Sequence, residues 1–159
     1  MRSDTTLEHT TQATTPTATP SETVHALRTA AAHVERALAW ALEPFGVTTA
    51  QFELLLVIER HHNSGAGCSE LAKHLAAPGP DVTRMLDRLD SAGFVARKRD
   101  NKDRRVVQTE LTEKGGQLLK NAGPSVSQAE CSVFDGLADS ERAQLASLLH
   151  GVRRNCPGN

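Results

Sequence analysis

A chain of 159 residues is long enough for one domain with a real core, alone or with helical appendages, and a second full domain is not expected. The formal net charge is −1, and the three cysteines, Cys68, Cys131 and Cys156, form no CxxC pair, so a disulfide scaffold is set aside in favour of free thiols in a reducing cytoplasm. One Trp, four Phe and no Tyr argue against stacking of splayed single-stranded bases, and the longest strongly apolar run, Leu54 to Ile58, is far short of a bilayer span, which predicts a soluble protein with no membrane partner.

Residues 1–21 hold eight threonines and two prolines with almost no large apolar side chain, a composition that predicts a disordered tail. Ser21 with Glu22 reads as a helix start. Val24, Leu27, Ala31, Val34, Leu38 and Ala41 then recur at spacings of three and four, one apolar stripe on a helix ended by Pro44 and Gly46. A second helix follows from Thr48, a good N-cap, to about His61. After the loop "NSGAG", a short helix "CSELAKHLAA" stops at "PGP", and Pro80 with Asp81 opens "DVTRMLDRLDSAG", closed by Gly93.

Two short strands, Phe94 to Arg99 and Val106 to Leu111, are joined by "DNKDR". In the second, Val107, Thr109 and Leu111 share one face and Gln108 and Glu110 the other, as in a half-buried hairpin. Thr112 caps a long helix through Leu118, Ala122, Val126, Ala129 and Val133 that is expected to kink at Pro124. A last helix from about Asp139 carries Leu145, Leu148, Leu149 and Val152. The fold class is therefore mostly α with a small β-hairpin.

The near-neutral total hides a basic window. From Val82 to Val106 there are eight basic residues against four acidic ones, a local balance of +4. Such a patch on an acidic body suits a polyanion at one face, although a plain solvated face has the same composition. Position separates the two readings. Two short helices with a tight break, followed by a basic hairpin, have the layout of a winged helix-turn-helix, whose second helix enters the major groove of DNA. On "PDVTRMLDRL", Val82, Met85, Leu86 and Leu89 face inward, leaving Pro80 and Asp81 at the head and Thr83, Arg84 and Arg88 outward. Arg84 is the candidate for a base edge, Thr83 for a base or phosphate, and Arg88 for phosphate; Asp81 either accepts from cytosine or stabilises the helix start. Lys102, Arg104 and Arg105 at the hairpin tip suit a minor groove, with Asp103 holding the turn.

"DRRVVQTELTEKG" resembles the wing signature of the multiple antibiotic resistance regulator (MarR) family, D-x-R followed by L-T-x-x-G, with Asp103, Arg105, Leu111, Thr112 and Gly115 at those places. "SELAKHL" and "DVTRMLDRLDSAGFVAR" are similar to the family's helix-turn-helix, and the likeness covers roughly residues 22–155. It implies a dimer whose first and last helices interlock (22–46 and 112–155) around a DNA-binding domain (47–111), a pseudo-palindromic double-stranded operator, and repression relieved by a small, often phenolic or anionic, effector. His33, Trp40 and Phe45 are candidates to line the effector pocket, against plain core packing. "PGP" before the recognition helix and Gly123–Pro124 within the fifth helix depart from the family pattern.

Other chemistries are less well supported. His61, His62, Cys68 and His74 are zinc-type ligands without zinc spacing, so no metal or cofactor is expected. Cys68 at a helix start is a candidate redox sensor. No nucleophile–base set, phosphate loop or carboxylate pair indicates an enzyme. A winged-helix adaptor that binds protein rather than DNA is the principal alternative.

Overall fold

The computed structural model describes residues 18–61, 71, 82–99 and 107–155. The expected tail up to residue 17, the short helix after Cys68 other than Leu71, and the hairpin tip lie outside them, as do Pro80 and Asp81. By contacts the chain divides within its first helix, into residues up to Ala32 and residues from His33 on.

Helix α1 runs Pro20–Leu42. It starts earlier than the sequence suggested, because Thr19 rather than Ser21 is the cap: its backbone N–H and Oγ1 both donate to Glu22 Oε2 at 2.8 Å. The Glu22 N–H returns a bond to Thr19 Oγ1 at 3.3 Å. These hydrogen bonds hold the Glu22 carboxyl below the usual glutamate range. Pro20 sits at the first helical position, where its missing N–H costs nothing. Within the first unit, Val24 and Leu27 remain exposed.

From His33 on, the elements build around one apolar cluster. A 3-10 turn, Glu43–Phe45, ends α1, and Gly46 closes it at φ 67°, where the chain reverses. Helix α2, Thr49–Arg60, begins as the sequence predicts: Thr48 accepts from the Gln51 N–H and Gln51 accepts from the Thr48 N–H, a complete capping box. Its buried Phe52, Leu54, Leu55, Val57 and Ile58 span more than one stripe, which makes α2 the central helix. Helix α3 is Val82–Ser91, strands β1 (Val95–Arg99) and β2 (Val107–Leu111) pair antiparallel, and helices α4 (Glu113–Val133) and α5 (Asp139–Asn155) follow.

Leu42, Leu54, Leu55, Ile58, Leu71, Leu86, Leu89 and Val95 are the most deeply buried side chains of the cluster. Helix α2 packs on β2 and α4, and α3 packs on β1, so the core fixes the helix–hairpin pair from behind. Helix α4 continues through Pro124. Among the residues of helix α5 whose burial is described, none is buried; Leu145, Leu148, Leu149 and Val152 stay between 36% and 62% exposed. Among the described residues, no single helix is long and apolar enough to cross a membrane.

Candidate nucleic-acid interface

Helix α3 sorts its residues by face. Val82, Leu86 and Leu89 are buried, whereas Thr83, Arg84, Asp87 and Arg88 are exposed, so one side is anchored in the core and the other is polar. The helix stops in a Schellman closure: the Phe94 N–H bonds the Leu89 carbonyl at 2.9 Å and the Gly93 N–H bonds the Asp90 carbonyl at 2.8 Å. Gly93 takes φ 76°, the conformation that this closure demands and glycine adopts without a Cβ penalty.

The hairpin is fastened to that closure. Its register pairs Val95 with Leu111, Arg97 with Thr109 and Arg99 with Val107. Val95 and Thr109 are buried, in keeping with the predicted alternation. At its root the Thr112 N–H donates to the Phe94 carbonyl at 3.1 Å, and Thr112 Oγ1 donates to the Gly93 carbonyl at 2.7 Å while accepting from the Gly115 N–H at 3.1 Å. Thr112 thus caps α4 and holds it to the end of α3. Lys114 adds Nζ to the Ala92 carbonyl at 2.7 Å and lies 4.8 Å from the centre of the Phe94 ring. Gly115 follows from the same closeness: a Cβ there would stand 2.1 Å from the Phe94 carbonyl oxygen.

One member of the basic window, though exposed, is bound to α3. Arg97 Nη2 donates to Asp87 Oδ1 at 2.6 Å and reaches the Thr83 carbonyl at 3.4 Å, tying β1 to α3. A charge count treats Arg97 as available to a polyanion, but its charge is matched within the subunit. Of the predicted interface, Thr83, Arg84 and Arg88 share the exposed side of α3. Lys102, Asp103, Arg104 and Arg105 lie outside the described residues, as do His62, Cys68 and His74.

Cavities border several described elements. One of about 260 Å³ is lined by Leu38, Leu42, Phe52, Leu56, Val57 and Val126, with Glu53, Arg60 and Glu130 as its charged residues. Burial, and next the nearby Glu35 charge, push the Glu53 carboxyl up. A second is an open groove lined by Phe45, Phe94 and Lys114, and a third lies beside Cys131 and Phe134. The three expected effector-pocket residues are not gathered: Phe45 borders the second cavity, and His33 and Trp40, both exposed, border none of the three. Trp40 lies two residues from Leu38, about 200° around the helix, and is 69% exposed.

Residues 47–107 match the model of the MarR family. The transcriptional repressor MprA of Escherichia coli is 28% identical over 107 residues, which span 67% of this chain and 61% of that protein. An Escherichia coli MarR mutant crystallised with operator DNA superposes with a TM-score of 0.74 at 31% identity, covering 81% of this chain and 91% of that one. Bordetella bronchiseptica BpsR, whose DNA binding is regulated by 6-hydroxynicotinic acid, superposes with a TM-score of 0.76 at 25% identity, covering 87% of this chain and 98% of that one. The mostly helical architecture with its two-stranded hairpin is the winged helix of these structures.

Proposed function

The chain belongs to the MarR family, whose members are transcription regulators and not enzymes, and from that premise we propose a homodimeric repressor that binds a pseudo-palindromic operator in double-stranded DNA and is released by a small-molecule effector. The observation that carries this reading is the division of α3: an apolar side held by the core and a side with Thr83, Arg84 and Arg88 exposed. An Arg at that position reaches guanine O6 and N7, while Thr83 and Arg88 meet base or phosphate. In sequence, Lys102, Asp103, Arg104 and Arg105 fall between the two strands and Pro80 and Asp81 just before α3, and a basic stretch between the strands suits a flanking minor groove.

Helix α5 supports the dimer. A helix with no buried residue among those described, yet presenting four large aliphatic side chains, needs a second surface to cover it. A second copy supplies one and sets two reading helices on a single duplex. The cavity lined by Leu38, Phe52, Leu56 and Val57 supports the effector, with apolar walls for a ring and with Arg60, Glu53 and Glu130 as polar groups to orient it.

A gel shift on the DNA next to the protein's own gene tests the reading. Salt-sensitive binding that prefers one sequence supports it, and loss of binding even at low salt supports the protein-binding adaptor instead. Titration with aromatic acids tests the effector: the expected result is DNA binding that weakens as the acid is added.

A further inference from the structure

We infer that Arg97 is a positioning residue for DNA reading: its bridge to Asp87 and to the Thr83 carbonyl fixes the roll of α3, and with it the aim of the side chains that meet bases. The inference rests on the DNA-binding reading above.

Thr83 and Asp87 are one turn apart and lie above one another along a single line of the helix, as do Arg84 and Arg88 along the neighbouring line. One guanidinium nitrogen, Arg97 Nη2, meets both groups of the first line, at 3.4 Å and 2.6 Å. A bond to a backbone carbonyl and to a side chain one turn further along opposes both roll and slide. Arg97 is well placed to act as a strut. It stands opposite the buried Thr109 in the sheet register, two residues from the buried Val95, so its own backbone belongs to the anchored part of the hairpin. The core grips only the inner side of α3, and Arg97 grips the flank next to the reading line. The lever is long enough to matter: a roll of about 10° displaces side-chain tips roughly 5–6 Å from the axis by about 1 Å. A shift of that size spoils bidentate hydrogen bonds to a base but leaves point-charge attraction to phosphates almost intact.

Asp87 makes the inference testable, because it carries a negative charge on the helix that approaches DNA. If Asp87 and Arg97 acted only through charge, Asp87→Asn would tighten binding to every duplex. A strut predicts the opposite on the operator. The full-length protein, Asp87→Asn, Arg97→Lys and the double variant are compared on a footprinted operator and on an unrelated duplex of equal length, at one salt concentration, with melting temperatures recorded. The expected result is operator binding weakened about tenfold by either single change, on the scale of one lost base contact. Binding of Asp87→Asn to the unrelated duplex is unchanged or tighter, and the double variant is no worse than the weaker single one. Operator binding by Asp87→Asn equal to or tighter than that of the unaltered protein overturns the inference, as do losses that simply add. An unaltered protein that prefers no sequence overturns the DNA-binding reading itself, a result distinct from failure of the strut alone. Arg97→Lys keeps the charge but replaces a planar, pre-organised guanidinium with a flexible ammonium stem, so its loss on the operator separates aim from attraction.

Discussion

Gly115→Ala and Gly116→Ala differ by one position and are expected to change stability in opposite directions. In ordinary contacts a carbon and a carbonyl oxygen approach to about 3.3 Å. A Cβ on Gly115 would lie 2.1 Å from the Phe94 oxygen and 2.9 Å from Leu111 Cδ2, so the start of α4 must move by about 1.2 Å relative to the end of α3. Overpacking of this kind costs roughly 1–3 kcal/mol. The movement also stretches the Thr112 bonds to Phe94 and Gly93, now 3.1 Å and 2.7 Å long, each worth about 1 kcal/mol. Helix propensity returns about 1 kcal/mol, leaving Gly115→Ala destabilised by roughly 2–4 kcal/mol. A Cβ on Gly116 meets nothing within 4 Å, so the same propensity gain stands alone and Gly116→Ala is expected to stabilise by up to about 1 kcal/mol. Chemical denaturation at one fixed protein concentration reads both. A Gly115→Ala protein as stable as the parent would refute the argument from close approach.

Thr48→Ala removes the acceptor of the α2 capping box and should cost about 1 kcal/mol in the same assay. Glu53→Gln tests the half-buried carboxyl: its pKa is raised in the folded state, so the charged form is penalised and stability falls as pH rises through that pKa. The variant should therefore be more stable than the parent at pH 7, with the difference vanishing below the ordinary glutamate pKa. Leu148→Asp places a charge on the exposed stripe of α5, and sedimentation should show the dimer dissociating at concentrations where the parent stays paired. Arg84→Ala should lose about 1–3 kcal/mol of discrimination at one base pair in each half-site, read by binding to operators changed one position at a time; equal loss on all sequences would count against base reading.

The local parts of the fold were legible because their signals are local. Thr48 with Gln51 three residues on, Thr112 with Gly115 three residues on, and Gly93 at the end of an apolar periodicity each announce a boundary within one helical turn. The α1 start was misplaced because two acceptable caps, Thr19 and Ser21, stand close together, and only Thr19 has Glu22 at the reciprocal spacing. The Arg97 bridge was not legible. Its partners lie ten and fourteen residues away on another element, and in a charge count the pair cancels without trace. Nor did aromatic type reveal which face a residue occupies. Trp40 sits opposite Leu38, and the nearby cavity is walled instead by Leu38, Leu42 and the second face of α2.

The root of the hairpin has a consequence for how this protein can diverge. Both rails of the β-ribbon are moored where they leave the helices, one by the Schellman closure at Gly93 and Phe94, the other by the threonine that begins α4. The span between Arg99 and Val107 is therefore an exchangeable part. Its length and charge can be rewritten, by descent or by an engineer, while the neighbouring helix keeps its exposed Thr83, Arg84 and Arg88.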